Sequence, residues 1–261
     1  MGMQASVGLS AVTPTSILDA IKEFKNLGRA KFLRKYGFSR SSKFYLLHAN
    51  RIYDTKALIG AAYSYATGRK IRHDQFGGGP QTNRLIEKAR LSDGKIFEDN
   101  LGELSNLSGE FDCLPRAGTP LRKLGFSKWI SLEKYKSFHT IEFPGVYVIL
   151  AQDSEPSDSV SIINQHVVYI GETVDQNLNK RLYQFTRSIA GKPGHSGGQT
   201  LRTEGLHERR LWLSIRSFPL GYGLDDAFAR SFRSSQIRSL ERTLLYEYVR
   251  ANQGYPKGNS K

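Results

Sequence analysis

The chain has 261 residues, 39% of them hydrophobic, and 38 lysines and arginines against 24 aspartates and glutamates, a formal net charge of +14. That length suits one large domain or two small ones. No apolar run approaches the roughly 20 residues of a membrane span, and the N-terminus lacks the basic start and apolar core of a secretion signal, so a cytoplasmic protein is expected. The lone cysteine, Cys113, excludes an internal disulfide and a cysteine-rich zinc site, and reads as a small neutral residue.

A sequence pI near 9.8 points to a polyanionic partner, most often nucleic acid. The charge is unevenly spread. Residues 1–140 hold 23 of the basic side chains and 12 of the acidic ones, a net of +11, whereas residues 141–261 hold 15 and 12, a net of +3. A binding module joined to a less basic domain accounts for that split.

In chain order, TPTSILDAIKEFKNLG predicts a helix capped by Thr15 or Ser16, with Ile17, Ile21 and Phe24 on one face and Gly28 at its end. RAKFLRKY predicts a short helix ending at Gly37, and FYLLHANRIY a strand. DTKALIGAAYSYATG predicts a helix from an Asp54 cap to Gly68, with Leu58, Ala61, Ala62 and Tyr65 along it. QFGGGPQT reads mainly as a turn and only secondarily as a phosphate cradle. No period stands out from Gly94 to Pro120, and LRKLGF leads into a linker. Beyond it, FPGVYVILAQ and HVVYIGE predict strands around a polar loop. VDQNLNKRLYQFTRSI predicts a helix capped by Asp175, RRLWLSIRSF a strand, and SFRSSQIRSLERTLLYEYVRAN a long helix. The glycine loop GKPGHSGG lacks P-loop spacing, so no nucleotide-triphosphate site is expected.

Two charges interrupt apolar helix faces. In the long helix Ile237, Leu240, Leu244, Leu245 and Tyr248 form a stripe whose i+4 slot is filled by Glu241. In the shorter one Leu178, Leu182, Phe185 and Ile189 share a face with Arg181. A carboxylate on such a face is costly unless paired, protonated or metal-bound. Either the two form an ion pair, or they mark a charged site at one sheet edge, Glu241 for a cation and Arg181 for a phosphate oxygen. Gly145-Val146-Tyr147 and Tyr169-Ile170-Gly171 place phenols in the preceding strands. Tyrosine packs well at half-buried strand positions. Beside a cation or a guanidinium, a phenol also loses its proton more easily than its ordinary pKa of about 10 suggests, and can then take one from water.

In this order, these elements resemble the GIY-YIG endonuclease superfamily over roughly residues 141–261. Gly145-Val146-Tyr147 and Tyr169-Ile170-Gly171 match its two motifs, Arg181 its helical arginine, Glu241 its metal-binding glutamate and Asn259 its C-terminal asparagine. Valine replaces isoleucine at position 146. The inserted AQDSEPSDSVSIINQ resembles the restriction-enzyme branch, whose glycine-loop histidine is matched by His195. The resemblance implies a small, mostly antiparallel sheet flanked by helices, and phosphodiester hydrolysis with one Mg2+ per active site, which Mn2+ can replace. By the same resemblance Glu241 would hold the ion, Tyr147 would activate water with help from His195 or Tyr169, and Arg181 would stabilise charge on the phosphate. Asn259 would tie the tail to the site.

GRAKFLRKYGF, YLLHANRIYDTKALIGAAY, FGGGPQT and LRKLGF resemble the N-terminal head domain of McrA-type modification-dependent endonucleases over about residues 15–126, with Arg84 to Pro120 inserted. Lys56, Arg69, Lys70 and Arg72 are then candidate phosphate contacts, and Tyr53 and His73 base-proximal groups; the alternative is a surface or core role for each. The expected architecture is α+β, with a basic α/β DNA-recognition domain over 1–126, a linker over 127–140 and a GIY-YIG nuclease domain over 141–261. The expected function is Mg2+-dependent cleavage of double-stranded DNA in restriction, including DNA with modified cytosine. A restriction enzyme for an unmodified site, a repair or mobile-element nicking nuclease, and a DNA-binding protein with an inactive nuclease fold are the other readings. One site cuts one strand, so double-strand cleavage calls for a homodimer on DNA or two successive nicks.

Overall fold

The computed structural model describes residues 8–49, 51–104, 118–219 and 227–259; Cys113 lies outside them. The chain divides into two compact units, Met1–Asp99 with Pro219–Ala229, and Asn100–Phe218 with Arg230–Lys261.

The first unit opens with α1 (Pro14–Leu27) and α2 (Arg29–Tyr36). The cap of α1 is Thr13, two or three residues earlier than the hydroxyls at Thr15 and Ser16 suggest. Pro14 suits the first helical position, and Thr13 and Ser16 exchange side-chain-to-backbone hydrogen bonds of 3.2 and 3.0 Å as a capping box. The run FYLLHANRIY is a hairpin rather than one strand. In it β1 (Phe44–His48) and β2 (Arg51–Asp54) pair antiparallel, with His48 opposite Arg51 and Ala49 at a φ of 49° on the turn. The helix α3 (Thr55–Thr67) follows, then α4 (Pro80–Lys88) and β3 (Lys95–Glu98), two elements not read from the sequence; β3 completes a sheet ordered β2-β1-β3. Asp54 stands at the cap position of α3 but makes no side-chain bond to that helix. Its carboxylate instead accepts Arg29 Nε at 2.8 Å, Arg29 Nη2 at 2.7 Å and the Ser41 N–H at 2.7 Å. Ile17, Ile21 and Phe24 of α1 and Leu58, Ala61 and Ala62 of α3 share one core with Phe32 and Tyr53.

The second unit is built on a four-stranded antiparallel sheet. Its strands are β4 (Ile130–Ser131), β5 (Gly145–Ala151), β6 (Val167–Thr173) and β7 (Leu211–Ser217), in the order β4-β7-β5-β6. Alternation along β5 sends Tyr147 and Ile149 to one face and Val146, Val148 and Leu150 to the other. The first face packs on α5 (Leu178–Ile189) and α6 (Ser196–Thr203) through Leu178, Leu182, Phe185 and Leu201. The second packs on α7 (Ala227–Asn252) through Ile237, Leu240, Leu244 and Tyr248. Helices on both faces explain why all seven residues of β5 are buried.

Residues 127–140, expected to be a linker, are built into this unit. Ile130 and Ser131 pair with Leu213 and Trp212, and Trp129, Leu132, Tyr135 and Phe138 are buried in its cores. The short strand and the 3-10 turn after it lack a period long enough to read. The cap of α5 is Asn177, whose side chain accepts the Lys180 N–H at 2.9 Å, in place of the expected Asp175. No described helix is long and apolar enough to cross a membrane.

Candidate active site

Strands β5 and β6 set Tyr147 directly opposite Gly171. A side chain at 171 has no room: a Cβ there would stand 2.4 Å from the Tyr169 ring and 2.8 Å from the Tyr147 hydroxyl. At Gly145 a Cβ would meet the Arg216 carbonyl oxygen at 2.2 Å. Gly171 therefore creates the space in which two phenols share one sheet face, while Gly145 allows the close approach of the β7 backbone. Gly171→Ala is expected to cost about 1–3 kcal/mol by overpacking and to displace both rings. Urea unfolding would read the first effect, and loss of the upfield-shifted aromatic NMR signals of the cluster the second.

Around the phenols the rings close into a layer. Tyr169 lies 5.0 Å from Phe185 on α5, and His195, the cap residue of α6, lies 5.5 Å from Tyr169 and 4.9 Å from Phe185. The Tyr147 hydroxyl and His195 Nε2 are 2.9 Å apart, and the His195 N–H donates to Ser188 Oγ at 2.7 Å. Burial, reinforced by the charge of Arg181, pushes His195 down to about 4, so the ring is neutral at pH 7. Tyr147 is fully buried, and burial lifts its phenol well above 10, with Tyr169 adding to the rise and Arg181 only partly opposing it. The expectation that a neighbouring cation would ease its ionisation is thus reversed by desolvation. A protonated phenol can donate to Nε2 of the Nδ1–H tautomer or accept from Nε2 of the other, and His195 Nδ1 is a buried atom with no hydrogen-bond partner.

Arg181, half-buried on α5, acts on both phenols, and its buried Nε has no hydrogen-bond partner. The ion pair with Glu241 allowed by the sequence does not form among the described residues. Glu241 on α7 is raised to about 7 by burial and then by the negative charge of Glu172, with only Arg242 opposing. Glu172, next to Gly171 on β6, is raised by burial too, opposed first by Arg238 and then by Arg181, and its buried Oε2 is unpartnered. Glu172 was not read from the sequence. Strand alternation could have found it, since a residue adjacent to Gly171 faces the α7 stripe that Glu241 interrupts.

Asn259 ties the tail to β6 by hydrogen bonds, as expected. Its Nδ2 donates to the Ile170 carbonyl at 2.7 Å and its Oδ1 accepts the Ile170 N–H at 2.8 Å. The amide stands in for a further strand on the open side of β6, the edge of the sheet, and so fixes Tyr169 and Gly171 on either side of Ile170.

In the first unit Tyr53 is fully buried against Phe24, at 4.8 Å between ring centroids, so it is a core residue and not a base-proximal one. Lys56 is half-buried with its ammonium 5.3 Å over the Phe76 ring. Arg69, Lys70, Arg72 and His73 are exposed. Lys70 donates to the Lys35 carbonyl at 3.2 Å, and Arg72 forms a two-pronged pair with Asp74, Nε to Oδ1 at 3.0 Å.

No curated protein and no solved structure matches the chain. Residues 10–89 match the family model of the ScoMcrA-like N-terminal head domain, which is the part of the expected McrA-type resemblance that the comparison shows.

Proposed function

We propose that the chain is a divalent-metal-dependent endonuclease of the GIY-YIG type, with a DNA-binding first unit, acting in restriction. The observation that supports it best is the gathering, at one sheet edge, of groups a stable core would exclude. Arg181 lacks a partner for Nε, and Glu172 and Glu241 repel one another in a partly desolvated setting. The head-domain match supports the restriction setting.

The two carboxylates fit a hard cation. Their mutual repulsion and the orphaned Glu172 oxygen are both relieved by divalent charge. An ion held by these two carboxylates would keep most of its water, as Mg2+ does. Glu241, with Glu172 beside it, would hold that ion, which when bound supplies charge neutralisation at the scissile phosphate and its leaving oxygen. Arg181 binds a non-bridging phosphate oxygen through its fork of donors. Tyr147, having no exposed surface, can take a proton from the attacking water only as it passes its own to His195 Nε2; no free phenolate then stands in the apolar layer.

The test is incubation with Mg2+ or with chelator of matched duplexes, unmodified or carrying 5-methyl- or 5-hydroxymethylcytosine. Cleavage is expected only with Mg2+, and His195→Gln and Tyr147→Phe are each expected to slow it by about 10²-fold or more with duplex binding unchanged. Equal cutting of unmodified DNA at a fixed site would remove the modified-base part of the reading. Binding without cutting under every condition would leave a DNA-binding protein on an inactive nuclease fold.

A further inference from the structure

The glycine run Gly77-Gly78-Gly79 has no part in the site just described, yet Gly78 and Gly79 help to line a cavity of about 360 Å³ in the first unit. Arg40 and Lys43 come to that cavity from the segment before and at the start of β1, Lys56 from the first turn of α3, and His73 from the loop before α4. Among the described residues no carboxylate lines it. The helix α3 begins at its wall with Thr55 and Lys56, so free backbone N–H groups and a positive dipole end add to the side-chain charge, and Gly79, the cap of α4, lines it too. The acids nearby are each engaged with a named partner, and one of them partly neutralises Lys43. Asp54 is spent on Arg29 and Ser41, Asp74 pairs with Arg72, and Glu98 meets Lys43 at the surface, at 2.9 Å. Lys56 is held in place: its stem lies against Gly78, where an added Cβ would stand 3.4 Å from Lys56 Cδ, and its head lies over Phe76.

We propose that this cavity receives a backbone phosphate of bound DNA, with Lys56 and Arg40 as its principal contacts and the Gly78-Gly79 backbone at its floor. The proposal rests on the reading that the chain binds duplex DNA, and it makes the glycine loop a phosphate cradle rather than a simple turn. A phosphodiester carries one negative charge and accepts from several donors at once, which suits converging N–H groups and flexible cations.

The experiment is fluorescence anisotropy of a labelled duplex titrated with the full chain in chelator, across a series of KCl concentrations. The proteins are wild type, Lys56→Met, Arg40→Gln, the double variant, and Lys22→Ala as an exposed basic control on α1. Methionine preserves the packed stem of Lys56 while removing its charge, and circular dichroism melting confirms folding. The double variant is expected to bind about tenfold more weakly and to lose close to 1 from the slope of log K against log salt, at about 0.9 for the one phosphate contact. Lys56→Arg is expected to restore the slope. Wild-type binding with an unchanged slope in the double variant would overturn the cavity proposal and leave DNA binding standing. Absence of duplex binding by wild type would overturn DNA binding itself, and the proposal with it. Tight uptake of a free labelled mononucleotide, lost in Lys56→Met while duplex affinity is kept, would overturn the proposal in favour of a small-molecule site.

Discussion

Arg29→Met is expected to destabilise the first unit by about 3–5 kcal/mol, the cost of breaking a buried ion pair from one side. Asp54 is 1% exposed and has two of its three hydrogen bonds from the Arg29 guanidinium; without them the carboxylate keeps only the Ser41 N–H. The pair joins the start of α2 to the junction of β2 and α3, so its loss loosens the join between the helices and the hairpin. Methionine fills much of the volume but offers no donor. Asp54→Asn added to Arg29→Met removes the stranded charge and should recover part of the loss, the mark of a coupled pair in a double-mutant cycle. Both tryptophans, Trp129 and Trp212, lie in the second unit. In urea, tryptophan fluorescence should therefore leave the variant's transition where wild type has it, while part of the far-ultraviolet circular dichroism change moves to lower urea. A fluorescence transition that moves as far as the dichroism would show that Arg29 supports more than its own unit.

What could be read in advance was whatever interrupts a pattern. Glu241 and Arg181 stand out because each breaks an apolar helical stripe, and Tyr147 and Tyr169 because they sit beside glycines in near-continuous apolar runs. Each of these four lies where the strands and helices so defined place it. Glu172 escaped because a glutamate at a strand end beside a polar loop looks like solvent-facing surface. Its burial comes from α7, some 70 residues later in the chain, packing over that face. Distant contacts also explain why Asp54, which does stand at the cap position of α3, serves Arg29 instead of its own helix, and the failed expectation for Tyr53. A tyrosine beside an aspartate in a short strand looks half exposed until Phe24 of α1 is laid against it. The 127–140 segment failed for a different reason. Two paired residues and a 3-10 turn are too short to carry a period, and only its apolar side chains (Trp129, Leu132, Tyr135, Phe138) hinted that it was packed.

Glu241→Gln is expected to move activity and stability in opposite directions. In the proposed reaction the carboxylate holds the divalent cation, so its amide should cut Mg2+-dependent cleavage by about 10³-fold or more, the worth of several kcal/mol of transition-state stabilisation. Duplex binding in chelator should stay unchanged. Stability follows from the same carboxyl. Its pKa is about 7 in the folded chain against 4.5 for an ordinary glutamate. Between those values the folded protein binds more protons than the unfolded one, so metal-free stability falls as pH rises through that window. Below 4.5 the group is neutral in both states and costs nothing through its charge; above 7 the whole penalty is present. The site is only half-buried, so solvent screening reduces that penalty to about 1–2 kcal/mol. In chelator, Glu241→Gln should thus melt higher than wild type at pH 8 and level with it near pH 4.5. Added Mg2+ should raise the melting temperature of wild type at pH 8 but not that of the variant, since only the former gains a ligand on folding. A variant that loses cleavage and is also less stable than wild type at pH 8 would mean that Glu241 holds the fold together, and the metal-site reading would fall.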